Sequence, residues 1–159
     1  MSRSIVVFLR SDLPPAQTAG QLATALDAEL TEDDEGRVFV SRPARHAEGE
    51  KVGGQVTENR YSTPPGAEPG ELSVLDGYDT TYDIRFTGED EATRRAEADG
   101  ILTDIADRLG WPALLVENLE FLVAAWHPEH GRTDFPAGTT PDPEDRAVWQ
   151  KHSIGDGST

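Results

Sequence analysis

Cysteine is missing from this 159-residue chain, and that one absence removes disulfides, thiolate metal sites and a cysteine nucleophile together. Lysine is almost missing: Lys51 and Lys151 stand against twelve arginines. No apolar run approaches the roughly 18 residues of a membrane span. Ile5-Val6-Val7-Phe8-Leu9 is also too short for the core of a signal peptide, so the expectation is a cytoplasmic chain without membrane contact. There is no G-x-S-x-G elbow, no phosphate loop and no dinucleotide fingerprint, which leaves serine and nucleotide chemistry without support. Large aliphatics and phenylalanine are scarce, 33 of 159 residues, close to the composition at which chains stop folding. A core forms only if those residues are concentrated in a few elements.

Acid is what the chain has in excess. Thirty Asp and Glu give a formal charge of −16. Binding to nucleic acid or an anionic membrane needs a surplus of Lys and Arg, so both are disfavoured as partners. Acidity of this kind also arises as a solubility trait of an acid-rich proteome. As a functional feature it suits a basic protein surface, which concentrated negative charge steers and captures faster.

The apolar residues are concentrated in two similar segments. Residues 4–10 are β-branched and aromatic and read as a strand. Leu13-Pro14-Pro15 opens a helix, and Ala19, Leu22, Ala23, Leu26 and Leu30 fall on one helical face. Further on, Tyr78, Thr80, Tyr82, Ile84 and Phe86 alternate with polar residues, a strand with one wet face. Thr87-Gly88-Glu89-Asp90 resembles a capping box with Thr87 as the cap. Ala98, Ile101, Leu102, Ile105 and Leu109 form the second helical stripe, closed by Gly110. The pairs Asp90–Arg94, Glu91–Arg95 and Asp104–Arg108 have the i,i+4 spacing of an exposed, charged helix face.

The fold these features predict is α+β: a ferredoxin-like two-layer sandwich from two β-α-β units, with an added hairpin strand and long polar loops. Its strands are placed at 4–10, 37–41, 71–75, 78–86 and 113–117, with helices at 14–30 and 89–109 and a short last helix after Asp142. Asp76-Gly77 is the turn that joins the hairpin. Residues 1–152 make one domain in which 41–70 is a long loop or insertion, and 153–159 form a frayed tail. Val52 to Val56 reads as a short strand or bulge within that loop, and 119–126 as helix or mixed structure. The core is expected at Ile5, Val7, Leu22, Leu26, Phe39, Tyr82, Ile84, Phe86, Ile101, Leu102, Ile105, Leu109 and Leu115.

Two groups of residues carry possible chemistry. Residues 37–60 hold a net +2 in a chain whose remainder is −18. Within them Arg42, Arg45 and Arg60 have the fork geometry for a carboxylate or phosphate, with His46 as a possible acid or base. The second group is His127 and His130, which flank Pro128 in a turn; they are weak candidates for metal, because nothing fixes their directions and no thiolate helps. Tyr78 and Tyr82 sit on the buried strand face and read as core. The functional expectation is therefore a non-enzymatic protein-binding protein, an inhibitor, immunity or accessory subunit with a basic partner, holding no cofactor and no metal. The alternative is a small-molecule enzyme or sensor that binds an anion through the 42–60 loop.

Overall fold

The computed structural model describes residues 4–63 and 66–154, and its strands form a single antiparallel sheet of eight. At the centre lies β1 (Ile5–Leu9), paired on one side with β5 (Thr80–Phe86) and on the other with β6 (Ala113–Glu117). All five β1 residues are buried, because both faces of the sheet are covered. That is why the strand reads as an unbroken apolar run rather than an alternation. Ile5, Val7 and Leu9 face one layer, and Val6 and Phe8 face the other.

The first layer is helical. Both α1 (Pro15–Leu26) and α2 (Glu91–Arg108) pack their stripes on Ile5, Val7, Tyr82, Ile84 and Leu115. Helix α1 begins with proline in its first turn, as expected, but ends four residues earlier than the spacing suggests. Asp27 adopts the left-handed conformation (φ 53°) and donates its N–H to Thr24, which closes the helix at Leu26. Leu30 belongs instead to β2 (Glu29–Glu32) and is 44% exposed. In α2 the cap is Asp90 rather than Thr87. The Asp90 carboxylate accepts the Thr93 N–H at 2.9 Å and the Thr93 hydroxyl at 2.6 Å. Thr87 is occupied elsewhere: its hydroxyl donates to Glu50 at 2.6 Å and accepts the Lys51 N–H at 2.9 Å. Gly110 (φ 67°) closes α2 as expected.

The i,i+4 ion pairs expected along α2 are replaced by longer-range ones. Asp104 meets Arg42 and Arg45, Arg95 meets Glu117, and Arg108 meets Asp27. Arg94 pairs one turn back with Glu91, at i,i+3. A charged helix lying on a sheet finds partners in the neighbouring elements, and these displace its weak local pairs.

Beyond β5 the sheet continues through β4 (Lys51–Glu58) and β3 (Val38–Pro43) to β2; beyond β6 it continues through β7 (Phe121–His127) to β8 (Gly131–Asp134). Within the expected 41–70 loop, the short strand or bulge read at 52–56 is the eight-residue β4. Its middle is Gly53-Gly54 because side chains there would collide with the carbonyl oxygens of Val40 and Asp83 in the adjacent strands. The helix or mixed structure expected at 119–126 is strand β7. Asn118 and Leu119 turn the chain in left-handed conformations (φ 55° and 59°), and a bulge at Val123 breaks the alternation.

The second layer is made of irregular chain. Residues 59–63, 66–79 and 135–154 place Val74, Leu75, Tyr78, Phe135 and Trp149 over Val6, Phe8, Leu114, Val116 and Leu122. The hairpin strand expected at 71–75 is absent: Pro69–Glu71 forms a single 3-10 turn, and Val74 and Leu75 are buried as cover rather than paired. Asp76-Gly77 does turn the chain (Gly77 φ 94°), but it joins no strands; the Asp76 carboxylate instead ties together the Thr63 and Ser73 backbone N–H groups. The last helix is four residues long, α3 (Arg146–Trp149), between two 3-10 turns. Phe86 and Leu109 are half-buried at the margins of the core; Phe39 is half-buried and, alternating with Val38 and Val40, joins neither apolar cluster; the other expected core residues are buried. The end of the tail expected at 153–159 lies outside the described residues from 155 on. Among the described residues no helix is long and apolar enough to cross a membrane.

Candidate functional site

The four residues singled out for anion binding do not converge. Arg42 sits on β3, where its side chain shares the helix-facing side with Val38 and Val40, and it is 4% exposed. Its Nη1 donates to the Leu26 carbonyl and to Asp104 Oδ2, both at 3.0 Å. Arg45 Nη1 lies 3.0 Å from the same Asp104 oxygen. His46 has an exposed ring, and its backbone N–H donates to Glu97 Oε2 at 2.6 Å. These three residues fasten the β3–β4 connection to α2. Two guanidinium nitrogens of Arg42 and Oε1 of the fully buried Glu97 remain without hydrogen-bond partners. Asp104 neutralises Arg42 and Arg45, and Glu97 holds the His46 backbone, so the cluster works as a latch.

Arg60 stands apart from that cluster. It lies just beyond the end of β4 and lines a cleft of about 180 Å³ over the sheet, with Gln55, Thr57, Thr81, Asp83 and Tyr61. The floor of this cleft follows from strand alternation: Val56, Tyr82 and Ile84 point to the helices, so Gln55, Thr57, Thr81 and Asp83 point away from them. The Thr57 and Thr81 hydroxyls, directly opposite in register, are 2.9 Å apart. Asp83 holds Arg85 at 3.2 Å through Oδ2, and its Oδ1 has no hydrogen-bond partner. Tyr61 meets the ring of Phe8 edge-on at 5.9 Å. Thr81 and Asp83 had a sequence signal, since they are on the wet face of their strand; nothing in the sequence shows that Thr57 stands beside them.

His127 and His130 come together at the β7–β8 turn, with ring centroids 4.8 Å apart. A third histidine, which the sequence does not connect with them, joins the group: the His152 ring is 6.3 Å from that of His130. His152 is fully buried, its Nε2 is 2.8 Å from the Thr133 hydroxyl, and its Nδ1 has no partner. Burial, then the neighbouring Lys151, His127 and His130, lower its pKa to about 4. Burial also lowers that of His127, reinforced by His130 and opposed by Glu129. His127 Nδ1 accepts the Glu129 N–H at 3.0 Å. Among the described residues no group of three or more His, Asp or Glu is arranged to hold a metal ion.

The two buried tyrosines are structural in their bonding. Tyr82 donates its hydroxyl to the Val40 carbonyl at 2.8 Å, and Tyr78 donates to the His152 carbonyl at 2.7 Å. Burial raises the pKa of both, so each stays protonated.

The acid is most concentrated at one edge of the sheet. Six carboxylates lie within residues 27–35: Asp27, Glu29, Glu32, Asp33, Asp34 and Glu35. All four residues of β2 are exposed. It pairs with β3 on one side, and among the described residues no other backbone group bonds to its outer side. Slight burial opposes the effect, but hydrogen bonds from the Arg37 and Glu35 N–H groups and the Arg37 guanidinium hold the Asp33 carboxyl below its ordinary pKa. Compared with known protein families, curated proteins and solved structures, the chain matches none.

Proposed function

We propose that this is a non-enzymatic protein-binding protein, an inhibitor, immunity or accessory subunit, that engages an extended basic segment of a partner at its β2 edge. The observation that carries the reading is the combination at that edge of an open strand and six carboxylates. An open edge offers a row of unpaired backbone groups to which a partner strand adds. The charge decides which strand is admitted. A second copy of β2 would bring Glu29 and Glu32 against their like, whereas Arg or Lys on a partner strand would meet them favourably. Long-range attraction adds to the association rate and weakens with salt.

What supports a non-enzymatic role is the use of several buried polar side chains as structural ties. Asp104, Glu97, Tyr78 and Tyr82 are bonded to arginine or to backbone and hold elements in place. The architecture suits a rigid platform. We read β4-β5-β1-β6 with α1 and α2 as a ferredoxin-like unit extended at both edges; the strand order and antiparallel pairing support this.

The test is a titration of isotope-labelled protein with a soluble extended peptide of alternating Arg and Val, followed by backbone NMR. Shifts and new amide protection concentrated at residues 28–37 are expected, with binding at least about tenfold weaker in the Glu29→Lys, Glu32→Lys double variant. Shifts spread evenly over the acidic surface, or none at β2, would reject the edge as the docking site.

A further inference from the structure

The cleft at Arg60 has no part in that reading and carries its own. We propose that it binds a short carboxylate that also bears a hydrogen-bond donor, an α-amino or α-hydroxy acid. The carboxylate sits on Arg60, and the donor points to the floor formed by Thr57, Thr81 and Asp83.

Three observations lead there. First, Arg60 stands apart from its fellow arginines. In a chain with thirty acids, Arg10, Arg37, Arg42, Arg45, Arg85, Arg95, Arg108 and Arg132 each pair with a carboxylate. Arg60 is exposed and among the described residues has no such partner. Its planar fork is left for a carboxylate from outside.

Second, the cleft wall is polar in a mixed way. Across from Arg60 are two hydroxyls, the Gln55 amide and the Asp83 carboxylate, whose Oδ2 is 3.2 Å from Arg85. A carboxylate oxygen accepts more than one hydrogen bond, so Asp83 Oδ2 can take a ligand donor beside Arg85. An inorganic anion would answer Arg60 and be repelled by Asp83; a ligand with acid at one end and a donor at the other answers both.

Third, size limits the class. A cleft of about 180 Å³ is slightly larger than a cavity that holds benzene and too small for a nucleotide. A second depression of about 230 Å³ shares Gln55, Thr57 and Arg60 with it but is lined by Pro15 and Ala16 of α1 and by the helix-facing Val38 and Val56, so it is a separate space. Tyr61, anchored on Phe8, walls the first cleft.

Calorimetric titration with four probes tests the proposal: L-serine, L-lactate, acetate and ethanolamine. L-Serine or L-lactate is expected to bind with a Kd of about 1 mM, and acetate and ethanolamine at least about tenfold more weakly. Arg60→Ala should weaken the better ligand by about tenfold or more, while Arg95→Ala, an equally exposed arginine on α2, leaves it unchanged. Asp83→Asn separates the two sources. Loss of L-serine binding with L-lactate retained assigns an amino acid; loss of neither, with L-lactate the tighter ligand, assigns a hydroxy acid. The proposal fails if neither L-serine nor L-lactate saturates below roughly 20 mM, if acetate binds as tightly as they do, or if Arg60→Ala has no effect. Arg60 is exposed and unpaired, so its loss leaves the fold intact.

Discussion

On the helix side of the sheet, Arg42, Glu97 and Asp104 are enclosed and bonded to one another's elements; on the other side, Arg60, Thr57, Thr81 and Asp83 border an open cleft. The difference follows from what covers each face. Helices α1 and α2 repeat their apolar stripe every three to four residues, so they seal the sheet, and a charge caught beneath them must find a partner there. The irregular cover of 59–63, 66–79 and 135–154 has no such period. It seals where Val74, Leu75, Tyr78 and Trp149 happen to lie and leaves polar floor open over β4 and β5. A mutation that unpairs a charge should therefore cost far more on the first face than on the second.

Asp104→Ala is the largest expected effect. It leaves Arg42 buried with its carboxylate partner gone, and removal of one member of a buried pair costs on the order of 3 kcal/mol. Arg42→Met, which replaces the buried cation by an apolar chain of similar length, should recover much of that loss when combined with Asp104→Ala. Urea unfolding of the two single variants and the double variant gives the coupling. If Asp104→Ala costs no more than an ordinary surface substitution, roughly 0.5 kcal/mol, the two faces do not differ as argued.

The irregular face has its own buried titratable group, and there pH is the probe. His152 is held neutral down to about 4, whereas in the unfolded chain it takes up a proton near its ordinary value of 6.5. Between those values the unfolded state binds more protons than the folded one, so stability is full above 6.5 and falls as pH drops towards 4. The groups facing the ring are His127, His130, Lys151 and the Thr133 hydroxyl, and no carboxylate among them offsets its charge. The loss should reach roughly 2–3 kcal/mol. Because the acids begin to titrate in the same range, the measurement is the stability difference between the wild type and His152→Gln across pH 4–7. A difference that does not change with pH would show that His152 is not the group responsible.

How far the two faces were legible in the sequence follows the same division. The unbroken Ile5–Leu9 run, the alternation around Tyr82 and Ile84, and the stripes of α1 and α2 all belong to the helix side, where periodicity reports burial. Strand β4 was legible only as a short strand or bulge at 52–56, because Gly53 and Gly54 carry no side chains with which to alternate. The bulge at Val123 mixed the strand and helix periods of β7, and Leu30 continued a helical spacing that Asp27 had already ended. Sites were harder to read. Arg42 and Arg60 lie 18 residues apart in one basic segment, yet the alternation of β3 sends Arg42 under the helices while Arg60, beyond the end of β4, borders the cleft. Asp104, the partner that neutralises Arg42, is 62 residues away in sequence. Local patterning carries no information about such a pairing.

The smallest effect tests which of two adjacent residues begins α2. Asp90 and Thr87 both have the chemistry of a helix cap, and sequence spacing favours Thr87. In the fold their work is divided: Asp90 accepts the Thr93 N–H of the helix, and Thr87 accepts the Lys51 N–H at the start of β4. Asp90→Ala should therefore cost about 1 kcal/mol, the usual value of a lost cap. Thr87→Ala removes an exposed hydrogen bond between loop and strand and should cost about half of that. Amide exchange tells the two apart more sharply than total stability does. Asp90→Ala should speed exchange at Thr93 and leave Lys51 unchanged, and Thr87→Ala should do the reverse. Faster exchange at the first turn of α2 in Thr87→Ala, with Asp90→Ala silent, would return the cap to Thr87.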